Sequence, residues 1–222
     1  MIVGERKPLE EILASIEDVS RVLVAGCGTC VSVCMAGGEK EVGLLAEELR
    51  MAARLRGKAL EVVEATAQRQ CDMEYLETLQ EQVRDAQCVI SVACGAGVQF
   101  LAQRYAPTRV VPGVNTRFIG VARDVGEWAE FCQSCGDCLL AETGGICPIA
   151  RCSKSLLNGP CGGSARGKCE IDPEVECGWQ LIYDRMVALQ RLDRLAEVRP
   201  VRGWQTSRDG GPRRLVREDQ KA

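Results

Sequence analysis

The sequence predicts an α/β protein in which a parallel three-layer α/β domain precedes a small Cys-rich metal-stapled module and a C-terminal helix. Short apolar strands alternate with amphipathic helices over residues 1–125, which is typical of parallel α/β folds. Residues 126–179 lose this periodicity and are rich in Cys, Gly and Pro. An apolar stripe at helical spacing returns over residues 180–200, and residues 201–222 form a charged tail.

The first domain contains four segments with the apolar character of buried strands. They lie at residues 21–25, 60–65, 88–93 and 109–111. Helices are predicted from Pro8 to residue 16, over 39–56, over 73–83 and over 97–105, and Gly57 ends the second of them. Because each strand is apolar throughout and is followed by a helix, we predict a parallel sheet covered by helices on both faces.

The Cys-rich segment has too few apolar residues to build a core of ordinary size. Such a segment needs another source of stability, and metal ligation supplies one because its free energy becomes folding free energy. A last helix is predicted over residues 180–198, with Ile182, Met186 and Leu189 on one stripe. This stripe has two interpretations, docking of a partner or packing against the metal module.

The chain has 14 cysteines and no histidine in 222 residues. Grouped thiolates without imidazole favour soft metal centres, above all iron–sulfur clusters. The absence of histidine excludes Ser-His-Asp catalysis and HExxH zinc sites. A net charge of −3 gives no reason to expect nucleic acid or an anionic membrane as partner.

The cysteines also indicate a compartment. No apolar run approaches the roughly 18 residues that a membrane span needs, and the first residues mix acidic with apolar side chains, unlike a signal peptide. We therefore expect a cytoplasmic protein. The cytoplasm is reducing, which favours metal ligation over disulfides.

Five cysteines follow the ends of predicted strands, namely Cys27, Cys30, Cys34, Cys71 and Cys94. The first three have the spacing C-x2-C-x3-C after the first strand. Because the carboxyl ends of parallel strands meet at one edge, these thiols are expected to converge on one cluster. The fourth ligand is predicted to be Cys94, with Cys71 as the alternative. Cys88 begins the third strand, at the opposite edge, and is expected to be a small buried apolar residue.

A second constellation begins with Cys132, Cys135 and Cys138, whose C-x2-C-x2-C spacing is shared with bacterial ferredoxins. In a ferredoxin the fourth cysteine follows after three residues and precedes proline, whereas Cys147-Pro148 follows here after eight. Four more cysteines come later: Cys152, Cys161, Cys169 and Cys177.

Eight cysteines could hold two clusters, or one cluster and one zinc ion with four thiolate ligands. The spacing does not pair them. We predict that the triplet binds a cluster together with a later cysteine, for which Cys177 is one candidate. Cys147, Cys152, Cys161 and Cys169 are predicted to bind metal, with iron and zinc both open.

Several motifs resemble a known family: VAGCGTCVSVC, RQCD, SVACGAGVQ, GGICPIARCSKSLLNGPCGGSARGKCE and CGWQLIYDR. The chain resembles the MetV-type iron–sulfur subunit of methylenetetrahydrofolate reductase, also described as the methylenetetrahydrofolate reductase C-terminal domain family. The likeness covers roughly residues 10–190 and is most specific at residues 158–163.

This resemblance implies two or more [4Fe–4S] clusters and a role in one-carbon metabolism of acetogens and related anaerobes. The expected partner is a MetF-type flavoprotein reductase subunit, with FMN in the partner and not in this chain. Electrons would pass through the clusters to the flavin, which reduces methylene-tetrahydrofolate to methyl-tetrahydrofolate. Further electron-donating subunits are compatible with this role.

The leading hypothesis is therefore an electron-transfer subunit of an oxidoreductase that is not catalytic alone. An alternative is a zinc-stapled assembly module of a reductase complex that passes no electrons. A thiol–disulfide enzyme is disfavoured because reactive thiolates usually have cationic or histidine neighbours, and only Arg69 near Cys71 and Arg151 beside Cys152 would serve.

Overall fold

The computed structural model describes residues 1–221 and divides into two compact units. Unit 1 spans Met1–Ala129, and unit 2 begins at Glu130. Each unit is described by itself. Among residues 1–221, every helix is too short or too polar to cross a bilayer.

Unit 1 carries most of the regular structure. In chain order its elements are β1 (Ile2–Arg6), α1 (Leu9–Ala14), β2 (Arg21–Cys27), α2 (Cys30–Val33), α3 (Glu39–Leu55), β3 (Glu61–Ala67), α4 (Met73–Leu76), α5 (Gln80–Asp85), β4 (Cys88–Ser91), α6 (Gly95–Arg104), β5 (Arg109–Pro112), β6 (Val114–Asp124) and β7 (Glu127–Cys132), the last of which runs on into unit 2. A short 3-10 turn, Glu77–Leu79, joins α4 to α5.

The predicted parallel sheet is confirmed, with four strands in the order β3-β2-β4-β5. All three pairings are parallel, and Cys27 at the end of β2 is in register with Ala67 at the end of β3. The strand order places β2 and β4 at the centre, which agrees with their continuous burial.

Helices cover both faces of this sheet because successive side chains of a strand point to opposite sides. On one face Val24 packs in a cluster with Leu45 and Leu49 of α3. On the other face Leu23 packs with Leu76 of α4 and other apolar residues of the following helices. The three-layer arrangement expected from the sequence is thus present in unit 1.

A second sheet was not predicted from the sequence. Strands β1, β6 and β7 form an antiparallel sheet in that order, and β1 pairs with β6 through contacts such as Ile2 with Ile119. The strand β6 carries polar residues at many positions and most of it is exposed or half-buried. Such a strand gives only a weak periodic signal, and its pairing with the first residues of the chain is not a local property.

Unit 2 has little regular structure. Its helices are α7 (Pro148–Arg151) and α8 (Gly178–Ala188), followed by a 3-10 turn at Leu192–Ala196. The helix predicted over 180–198 therefore ends at Ala188, and Gln190 has a φ of 56°, which a continuing helix cannot accommodate. The small core of unit 2 consists of Cys177, Trp179, Ile182 and Met186.

Candidate metal centres

Three cysteines of unit 1 lie on elements that end or begin at the carboxyl edge of the parallel sheet. Cys27 is the last residue of β2, and Cys30 is the first residue of α2, which follows it. Cys94 follows β4 and is the N-cap residue of α6. Cys27 is buried, whereas Cys30 and Cys94 are partly accessible. The edge rule for parallel sheets thus places these thiols as expected.

Cys71 joins them because the loop after β3 is held against the sheet by Gln70. The Gln70 side chain is fully buried, and its Nε2 donates to the carbonyl oxygens of Ala25 and Gly26, each at 2.9 Å. The hydroxyl of Ser91 donates to Gln70 Oε1 at 2.6 Å. One amide therefore ties the loop that contains Cys71 to the carboxyl ends of β2 and β4.

Charge interactions link Cys71 to the other cysteines of this edge. Its residue is exposed overall, yet partial burial of the thiol raises its pKa, and the charges of Cys94, Cys27 and Cys30 raise it further. Charges influence one another in this way only over short distances. We call Cys27, Cys30, Cys71 and Cys94 the edge cysteines.

Cys34 has different surroundings from the edge cysteines. The backbone amide of Gly4 donates to its Sγ at 3.3 Å, and its thiol lies 3.5 Å from the carbonyl oxygens of Gly4 and Val31. The residue is buried, and burial raises the pKa of its thiol, with the charge of Cys30 adding to the effect. Cys34, the third cysteine of the C-x2-C-x3-C triplet, therefore directs its thiol toward the backbone of β1.

Cys88 lies where the sequence placed it. It begins β4, pairs in register with Val22 of β2 and Arg109 of β5, and is fully buried. Burial raises the pKa of its thiol. It belongs to the same apolar cluster as Ile90, so a packing role accounts for it.

In unit 2 the C-x2-C-x2-C loop, residues 132–138, is shaped by contacts of its own sulfurs. The amide of Ser134 donates to Cys132 Sγ at 3.3 Å, and the Cys135 thiol donates to the carbonyl of Asp137 at 3.5 Å. Amide–sulfur bonds of this kind are the ones that stabilise ligating thiolates in iron–sulfur sites. Cys132 and Cys138 are exposed.

The chain between Cys138 and Cys147 folds back as a compact turn. The amide of Gly145 donates to the carbonyl of Leu140 at 2.8 Å, and Thr143 Oγ1 donates to the carbonyl of Leu139 at 3.1 Å. Because the turn closes two residues after Cys138 and two before Cys147, the eight-residue spacing does not separate these cysteines widely. The turn therefore shortens the path of the chain between Cys138 and Cys147.

Residues near the C-terminus pack against this loop. The hydroxyl of Thr206 donates to the carbonyl of Cys135 at 3.0 Å. The side chain of Arg202 is only 8% exposed and its guanidinium lies 3.8 Å from the Asp137 carboxylate. All three guanidinium nitrogens of Arg202 are buried without a hydrogen-bond partner. A buried cation thus lies beside the loop that carries the three cysteines.

The remaining cysteines of unit 2 surround a different feature. Cys152, Cys161, Cys169 and Cys177 line one cavity of about 20 Å³, which we call the four-cysteine cavity. Cys177, a candidate partner of the C-x2-C-x2-C triplet from sequence, thus lies with three other cysteines. Four of the eight cysteines of unit 2 therefore line one cavity, a grouping that spacing alone did not reveal.

The thiols of these groups are not preassembled around a single ion. Among residues 1–221, no three Cys, Asp or Glu side chains lie close enough together to hold one metal ion as they stand.

Two residues at the candidate sites were not singled out from sequence. Gln70 directly precedes Cys71, and its chemical type gives no indication that it is buried. Arg202 lies in the segment interpreted as a charged tail, where a single arginine is not distinctive. In both cases the relevant signal is burial of a polar group, which depends on contacts distant in sequence.

Comparison with known proteins gives one match. Residues 111–205 match a family model described as methylene-tetrahydrofolate reductase C terminal. This span is less than half of the chain, includes all eight cysteines from Cys132 to Cys177 and leaves the edge cysteines outside. Neither the curated proteins nor the solved structures gave a match. The match supports the resemblance inferred from the motifs over a shorter span: residues 111–205 are similar to the C-terminal domain family of methylene-tetrahydrofolate reductase.

Proposed function

We propose that this chain is the iron–sulfur electron-transfer subunit of a methylenetetrahydrofolate reductase complex. The observation that carries the proposal is the position of Cys27, Cys30 and Cys94 at the carboxyl edge of the sheet, together with the Gln70 hydrogen bonds that tie the loop of Cys71 to the same edge. Four thiols without a nearby base are suited to a [4Fe–4S] cluster and not to acid–base catalysis. The role is that of the MetV-type subunit.

A second cluster is assigned to Cys132, Cys135, Cys138 and Cys147. Its support is the ferredoxin-type spacing together with the turn that closes between Cys138 and Cys147. The donor set fits, since each [4Fe–4S] cluster takes four thiolates. The buried guanidinium of Arg202 also fits, because a cluster with four thiolate ligands is anionic and a nearby cation lowers the cost of burying it.

The family match supports reduction of methylene-tetrahydrofolate as the reaction that uses the electrons. In this proposal a MetF-type flavoprotein subunit holds FMN, and its flavin reduces methylene-tetrahydrofolate to methyl-tetrahydrofolate. The clusters supply one-electron steps, while this chain supplies ligation, burial and hydrogen bonds. The complex would be cytoplasmic, where thiols stay reduced.

The test is the metal content of the full chain purified without oxygen. We expect about eight irons and eight sulfides per chain, as two four-iron clusters require, and EPR signals of reduced clusters after dithionite treatment. Electron transfer is then measured as reduction of FMN in the added flavoprotein subunit by the dithionite-reduced chain. An iron content below about four irons per chain, which is less than one cluster, would contradict the proposal. Reduced clusters that fail to reduce the flavin would also contradict it.

The alternative function, a zinc-stapled assembly module, is favoured by one observation. The four-cysteine cavity is small, and the segment around it has almost no core. The same analysis distinguishes the two functions, because an assembly module without electron transfer would contain zinc and no iron.

A further inference from the structure

Cys152, Cys161, Cys169 and Cys177 reach the four-cysteine cavity from separate parts of the chain, with eight, seven and seven residues between successive cysteines. The cavity has a volume of about 20 Å³, which is room for about one water-sized particle. Four cysteines that line so small a space match the ligand number of a single tetrahedral ion. A four-iron cage with its sulfides needs far more room.

The segment between these cysteines lacks other means of support. From Cys152 to Cys177 the structure has no helix or strand, and Cys177 is the only buried residue. Backbone pairing is limited to two isolated bridges, Ala165 with Lys168 and Lys168 with Glu176. A stretch of this length without a core is stable only when something cross-links it.

We propose that Cys152, Cys161, Cys169 and Cys177 bind one structural Zn²⁺ ion. Tetrahedral coordination by four thiolates with no open position is the usual form of a structural zinc site. The ion would cross-link the start of the segment, its middle and the N-terminus of α8. Binding free energy would thereby become folding free energy for unit 2.

Ligation would require local changes at the thiols, because they do not yet stand at single-ion distances. The Cys169 thiol, for example, donates to Ser153 Oγ at 3.4 Å, and this hydrogen bond would be exchanged for a zinc–sulfur bond. Each thiol gives up its proton to solvent when it binds, so up to four protons are released per ion.

This proposal does not depend on electron transfer, because the iron is assigned to other cysteines. Zinc and iron are therefore measured separately on the same anaerobically purified full chain. We expect about one zinc per chain in addition to the iron. In a Cys161→Ser, Cys169→Ser double variant, we expect zinc to fall at least tenfold while iron stays at the level of the unmodified chain. These two cysteines are not buried, so their replacement leaves no cavity in the core.

The matched control is Ser164→Ala, which changes a residue lining the same cavity without removing a thiol, and it should keep its zinc. Loss of about four irons from the double variant, or zinc unchanged in it, would overturn the proposal.

A second measurement needs no substitutions, so it does not depend on whether a variant folds. Chain produced with Co²⁺ in place of zinc should show the thiolate-to-cobalt charge-transfer and tetrahedral d–d absorption bands of a sulfur site. Absence of these bands despite cobalt supply would also overturn it.

Discussion

Spacing alone suggests Cys34 as a cluster ligand and leaves Cys71 isolated, whereas the edge set that we propose contains Cys71 and not Cys34. Cys34 belongs to the C-x2-C-x3-C motif, but its thiol is buried against the backbone of Gly4. Cys71 stands alone in the sequence, but the hydrogen bonds of Gln70 tie its loop to the carboxyl edge of the sheet. The direction of a side chain, which spacing does not specify, decides which thiols can share a cluster.

Replacing these two cysteines separately tests the assignment. Cys71→Ala should remove about four irons per chain, because the cluster loses one of four ligands. Cys34→Ala should keep the iron, and Cys88→Ala serves as a control for the loss of a buried thiol. Iron and sulfide are measured on anaerobically purified protein, with circular dichroism as a check of folding. Loss of iron in Cys34→Ala together with its retention in Cys71→Ala would refute the edge set.

The Gln70 amide should be important for both stability and iron content. In Gln70→Leu the Gly26 carbonyl and the Ser91 hydroxyl lose the amide as a partner, while the Ala25 carbonyl still accepts from the Val92 amide. A buried group left unsatisfied costs about 1–3 kcal/mol. The loop with Cys71 would also be released. We expect a lower free energy of unfolding and a loss of up to four irons.

Gln68→Leu is the matched control for that experiment because Gln68 lies in the same loop with an exposed side chain. It should keep both iron and stability. If Gln70→Leu behaved like Gln68→Leu, the amide would have no positioning role.

Arg202 should affect the reduction potential of the second cluster. A nearby positive charge favours the more negative, reduced state of a cluster, so Arg202→Gln should lower the potential. A change of about 60 mV would correspond to a tenfold change in the one-electron equilibrium. The potential is measured by redox titration followed by EPR. Arg202→Lys should restore most of the value, whereas an unchanged potential in Arg202→Gln would show that the guanidinium does not act on the cluster.

At the scale of elements, the loop between β2 and α3 fits closely against the end of β4. A Cβ added at Gly37 would lie 1.7 Å from the carbonyl oxygen of Val92, so no side chain fits without moving the backbone. This approach holds the loop that contains Cys30 and Cys34 against the sheet. The amide of Cys27 also donates to the carbonyl of Gly37 at 2.9 Å.

Two glycine substitutions in unit 1 should therefore have opposite effects. Gly37→Ala should lower the free energy of unfolding by at least about 1–3 kcal/mol through overpacking. Gly43→Ala lies within α3, where the nearest atom to an added Cβ is 3.6 Å away, and should raise it by about 0.5–1 kcal/mol through helix propensity. Both are measured by denaturant unfolding. Equal effects of the two changes would contradict the close approach at Gly37.

At the scale of the whole molecule, the two units depend on different sources of stability. Unit 1 has two large apolar clusters on the faces of its parallel sheet. The buried core of unit 2 is four residues. Metal removal is therefore expected to affect them unequally.

Limited proteolysis after zinc removal tests this difference. A strong zinc chelator should make residues 152–177 sensitive to trypsin at Lys154, Arg166 and Lys168, because the proposed cross-link is lost. Peptide bonds within the parallel sheet of unit 1 should stay protected. Cleavage sites are mapped by mass spectrometry with and without chelator. Added Zn²⁺ should restore protection, and an unchanged digestion pattern would argue against a zinc staple.

The sequence by itself determined the parallel sheet, its helices and the positions of Cys27, Cys71 and Cys94 at or after the carboxyl ends of strands. These features follow from local periodicity and from the common direction of parallel strands. Both can be inferred from short stretches of the sequence. It also placed Cys88 at the opposite edge correctly. The family resemblance expected over residues 10–190 was supported over 111–205.

Only the tertiary structure decided the remaining features. The antiparallel sheet joins Ile2 to Ile119, and such distant pairing of half-exposed strands leaves no local pattern. The contacts of the Cys34 thiol with Gly4, the burial of Gln70 and the grouping of cysteines around one cavity depend on side-chain directions and long-range contacts. Spacing fixes how far apart two thiols are along the chain, whereas folding fixes whether they meet in space.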